Sequence, residues 1–80
     1  MIEVFKTNVQ QRSQAKILID QIHQLFTDYN ANFDLDDCDK ILRVQCKRGP
    51  VEPSILIELL HRFGFYAEVL PDIEPVSMYS

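Results

Sequence analysis

The hydrophobic positions of this chain switch between a helical and a two-residue period. Residues 55–70, ILIELLHRFGFYAEVL, show both. Ile55, Leu56, Leu59, Leu60 and Phe63 recur at three- and four-residue steps, which predicts a helix with these side chains on one face. Pro53 suits the first helical turn, and Gly64 can take the left-handed conformation that ends a helix. Phe65, Ala67 and Val69 then alternate with Tyr66 and Glu68, as a half-buried strand requires. The remaining elements gain stability by packing on this helix–strand unit.

Residues 2–6, IEVFK, read as a first strand with Ile2 and Val4 toward the core and Glu3 and Phe5 on the other face. Asn8 is then a helix cap. Gln11, three residues on, completes an Asn-x-x-Gln capping box. The helix extends to about Phe26, with Ala15, Leu18, Ile19, Ile22, Leu25 and Phe26 sharing a face. Residues 28–30 read as a turn. Strands follow at residues 32–36 and 41–47, joined by the turn chemistry of Asp36, Asp37, Cys38 and Asp39. Phe33 and Leu35 point inward, as do Leu42, Val44 and Cys46. Residues 47–50, KRGP, lead into the second helix.

The order is β-α-β-β-α-β. Two βαβ units joined by a hairpin predict an α+β ferredoxin-like plait: a four-stranded antiparallel sheet with both helices on one face. One sheet face is buried and the other is open. Residues 1–70 make the domain. Residues 71–80, with Pro71 and Pro75 opposing regular structure, read as a C-terminal tail.

Composition narrows the function classes. Eighty residues make one domain near the lower limit for a self-sufficient core. A chain that is 46% hydrophobic and 25% charged has an ordinary soluble composition. No apolar run approaches the roughly 20 residues of a membrane-spanning helix. No basic segment followed by an apolar block marks a secretory signal, so a cytoplasmic protein is expected. With a net charge of −4 and basic residues gathered only around Lys40, Arg43, Lys47 and Arg48, no nucleic-acid partner is expected. Two cysteines, Cys38 and Cys46, are too few for a disulfide framework and read as thiols.

In element order, in length and in the FGFYAEV ending of the second helix and last strand, residues 2–70 resemble the heavy-metal-associated domain family. These are the small plaits of copper chaperones and metal-transport ATPases. That family carries Cys-x-x-Cys between the first strand and first helix, where two thiolates converge on a soft ion. The corresponding loop here, residues 6–13, is KTNVQQRS and contains no cysteine. Val9 offers no donor and Arg12 repels a cation. The resemblance therefore implies the scaffold without its ion.

Other chemistry is weak. Cys38 at the hairpin tip and Cys46 down the strand are separated by about 20 Å of extended chain, too far for a disulfide or a shared metal. Asp34, Asp36, Asp37 and Asp39 lack the glycine and terminal glutamate of a calcium loop, and strand alternation would send neighbours to opposite faces. His23 and His61 stand singly beside the core stripes. No nucleophile–base arrangement and no glycine-rich phosphate loop is visible, so no enzyme is expected and no cofactor.

The open sheet face is left, with Glu3, Phe5, Ile41, Arg43, Gln45, Tyr66 and Glu68 as its expected members. The third strand has no aromatic side chain, so RNA stacking on that face is not expected. Phe5, Ile41, Arg43 and Tyr66 are the expected interaction surface, for a protein partner or a second copy. The functional expectation is a non-catalytic, metal-free interaction module. The alternatives are a metal carrier with a non-standard site and, by fold analogy alone, a small-ligand regulatory domain.

Overall fold

A computed structural model describes residues 2–70. The elements are β1 (Ile2–Thr7), α1 (Arg12–Leu25), β2 (Tyr29–Asp34), β3 (Ile41–Cys46), α2 (Pro53–Arg62) and β4 (Ala67–Leu70). The strands form one antiparallel sheet in the order β2-β3-β1-β4. This is the expected α+β, ferredoxin-like plait. The predicted tail, residues 71–80, lies outside the described residues. Among the described residues no helix is long and apolar enough to cross a membrane.

A single core cluster holds both helices on one face of the sheet. Leu18 and Ile22 of α1 and Leu56 and Leu60 of α2 are fully buried with Phe5, Leu42 and Val44 of the central strands. Ala31 and Cys46 extend the cluster toward β2, and Ala67 extends it toward β4. The end of α2 follows from Gly64, which sits at φ +87°. Its N–H donates to the His61 carbonyl at 2.9 Å, and the Phe65 N–H donates to the Leu60 carbonyl at 2.9 Å. These are the two bonds of a Schellman cap, and glycine reaches that conformation without a Cβ penalty.

The sheet corrects the expected phase of β1. Phe5 is fully buried beneath the helices and Thr7 is 5% exposed, whereas Ile2 is 53% exposed. Apolar residues at 2, 4 and 5 allow either phase. The phenyl ring removes more apolar area from water than Val4. Thr7 fixes the choice: its hydroxyl donates to the Lys40 carbonyl at 2.6 Å and accepts the Val9 N–H at 3.2 Å. Phe5 is therefore no part of an interaction surface.

Three local expectations also change. Asn8 does not cap α1; the helix starts at Arg12 behind Gln11, which makes no side-chain cap bond. β2 begins at Tyr29, so 28–30 is not wholly a turn; Tyr29, Ala31 and Phe33 pair with Cys46, Val44 and Leu42. Of the expected helical core faces, Leu25, Ile55 and Phe63 remain 57%, 41% and 41% exposed.

Candidate interaction face

Cross-strand register arranges the helix-free face as a grid, because directly opposed residues point the same way. One row crosses Asn30, Gln45 and Ile2. The next crosses Asn32, Arg43, Val4 and Leu70. The third crosses Asp34, Ile41, Lys6 and Glu68. The β2–β3 half is polar apart from Ile41, and Ile2, Val4 and Leu70 form an adjoining apolar group on β1 and β4. Ile2 is exposed, while Val4 and Leu70 are partly exposed.

Of the expected surface residues, Arg43 lies on the helix-free face by register, and Tyr66 directly precedes β4 with its hydroxyl on Glu68 of that face. Both are exposed, and Tyr66 retains 52% of its accessible area. Ile41 lies on the expected face but is only 6% exposed, so it offers little contact area. Its register neighbours are Lys6 and Asp34. The Lys6 ammonium lies 3.9 Å from the Asp39 carboxylate in the turn before Ile41, and an aliphatic lysine stem readily covers an apolar neighbour. Ile2, Val4 and Leu70 replace Phe5 and Ile41 as the apolar members. The signal for them was Phe5 itself: burying the largest side chain of β1 turns Ile2 and Val4 outward.

Charges on this face are unevenly engaged. Lys6 is directed toward Asp39. The Tyr66 hydroxyl donates to the Glu68 carboxylate. That bond, with loss of surrounding water and the nearby negative charge, raises the Tyr66 phenol above its ordinary pKa of 10.0. Among the described residues Arg43 makes no ion pair. Tyr66 is held by its backbone: its N–H donates to Asn8 Oδ1 at 2.7 Å, and the Asn8 N–H donates to its carbonyl at 3.3 Å.

Elsewhere the sites are shallower. Donor atoms of Asp37, Cys38 and Asp39 lie within 4.8 Å of one another. This corrects the expected divergence of neighbouring aspartates, because these residues occupy a turn, where strand alternation does not apply. The turn is already committed internally: Asp37 Oδ1 accepts the Asp39 N–H at 2.9 Å, and Asp39 faces Lys6. Cys38 is exposed and Cys46 buried, with no disulfide between them. His23 Nε2 accepts the Ala31 N–H at 3.1 Å, which caps a backbone group on the edge strand β2. A groove of about 120 Å³ between the helices is lined by Leu25, Phe26, Ile55, Glu58, Leu59 and Arg62. A cleft of about 250 Å³ separates Arg12 and Lys16 of α1 from Asp34 and Asp36.

Comparison with known proteins returns no match: no family model, no curated protein and no solved structure matches this chain.

Proposed function

We propose that this protein is a non-catalytic interaction module, a heavy-metal-associated-like plait that acts without its metal through the helix-free sheet face. The observation that carries this reading is the adjacency of Ile2, Val4 and Leu70 on the sheet face opposite both described helices, flanked by exposed Arg43 and Tyr66. Rigid strands present the group, so little backbone ordering is needed on binding. A protein surface is the partner that suits an apolar centre with a polar rim. The net charge of −4 and a face on which, among the described residues, Arg43 is the one cation outside an ion pair argue against nucleic acid. Its two thiols suit a reducing compartment such as the cytoplasm.

A metal carrier with a non-standard site is the weaker reading. The loop at residues 6–13 has neither sulfur nor imidazole. The turn donors Asp37 and Asp39 already engage a backbone N–H and Lys6.

Sedimentation velocity at tens of micromolar tests the proposal on wild type and on an Ile2→Lys/Tyr66→Ser variant. Both side chains are more than half exposed, so the variant should keep the wild-type circular dichroism. The expected result is an assembly larger than the 9.4 kDa chain for wild type and a folded monomer for the variant. An assembly that survives both substitutions would move the contact to another surface.

A further inference from the structure

We infer that the partner on this face is a second copy of the chain, held in an isologous dimer by reciprocal Arg43–Glu68 pairs; this rests on the interaction-module reading above. Arg43 and Glu68 lie two strands apart and one grid row apart, because Arg43 opposes Val4 while Glu68 opposes Lys6. Strand spacing and rise put their Cα atoms about 12 Å apart. No ion pair joins them within the described residues of one chain.

A two-fold axis lying in the interface and passing between Val4 and Lys6 exchanges the two positions. Arg43 of one protomer then meets Glu68 of the other, and symmetry repeats the contact. The same axis lays Val4 and Leu70 close to their own copies, and Ile2 reaches the outer side of Leu70. The apolar group thus packs against its own copy on one side of the axis, with a charged pair to either side. The Lys6 side chains approach each other near the axis, but each ammonium is turned toward its own Asp39. Glu68 accepts the Tyr66 hydroxyl and still has lone pairs for a guanidinium. Charge placement favours this occupant. A self-complementary face needs a cation and an anion at exchanged positions, and Arg43 lacks a partner within the described part of its own chain.

A charge-swap mixing experiment tests the pairing. Arg43→Glu places two anions at the paired positions, and Glu68→Arg places two cations there. Each variant alone should dissociate at least tenfold more readily than wild type by sedimentation equilibrium. An equimolar mixture should form a heterodimer of near wild-type affinity, because both pairs are then complementary. A mixture no tighter than the separate variants overturns the pairing. If Ile2→Lys/Tyr66→Ser still dissociates wild type in that case, the face stands and only the pairing fails. A wild-type chain that stays monomeric at tens of micromolar overturns the second copy as partner while leaving another protein open to test.

Discussion

Asn8 and Tyr66 exchange two hydrogen bonds across 58 residues of sequence: Asn8 Oδ1 accepts the Tyr66 N–H at 2.7 Å, and the Asn8 N–H donates to the Tyr66 carbonyl at 3.3 Å. The pair fastens the exit of β1 to the approach of β4 and sets the position from which the Tyr66 ring is presented. Asn8→Ala should cost about 1 kcal/mol in urea unfolding and accelerate hydrogen exchange at the Tyr66 amide. Asn8→Asp keeps the acceptor and should stay closer to wild type.

Phe5 separates a core role from a surface role. Phe5→Ala should cost about 3–5 kcal/mol, enough to unfold much of so small a domain. Thermal unfolding monitored by circular dichroism measures this. A well-folded variant that merely loses self-association would return Phe5 to the surface.

Gly64→Ala isolates backbone strain. A Cβ there meets no atom within 4 Å, so the penalty comes only from φ +87°. Denaturant unfolding should show a loss of about 1–2 kcal/mol. Gly49 has no such φ, and the same replacement there should change stability far less.

The Tyr66–Glu68 contact has a pH signature. A phenol that donates to a carboxylate keeps its proton more tightly folded than unfolded, so its ionisation moves above 10.0. The contribution is fully present below the unfolded value and is lost as pH rises through the raised folded value. Spectrophotometric titration should show one phenol transition, that of Tyr66, shifting downward in Glu68→Gln. An unchanged titration would remove the contact.

His23 protects an edge. β2 borders the sheet, and the side chain of His23 occupies the outward Ala31 N–H. Unpaired edge groups invite strand addition. His23→Ala should speed hydrogen exchange at Ala31 and cost about 0.5–1.5 kcal/mol, the usual worth of one such bond.

The fold was legible because its strongest signals were redundant. The spacing of Leu56, Leu59 and Leu60, Pro53 before them and Gly64 after them all describe one helix, and each feature appears in the structure. The surface was less legible because three apolar residues in β1 fit two phases. The size of Phe5 favours the observed phase, and Thr7, bonded to the Lys40 carbonyl from a distant turn, fixes it. Asn8 misled for a related reason. Its side chain satisfies a backbone group, as capping chemistry suggests, but that group belongs to Tyr66 rather than to α1. Asn30 reads as a turn residue, yet with Asn32 it occupies the polar face of an edge strand, where β2 alternates them with Tyr29, Ala31 and Phe33.

The contact face is tested most directly by amide chemical shifts recorded as the protein is diluted from about a millimolar to a few micromolar, a range across which a dimer with a dissociation constant of about ten micromolar comes apart. The account predicts concentration-dependent shifts grouped on Ile2, Val4, Arg43, Glu68 and Leu70, with Leu18 and Leu56 in the helical layer unmoved. Shifts grouped instead around Leu25, Ile55 and Arg62, in the groove between the helices, would contradict it.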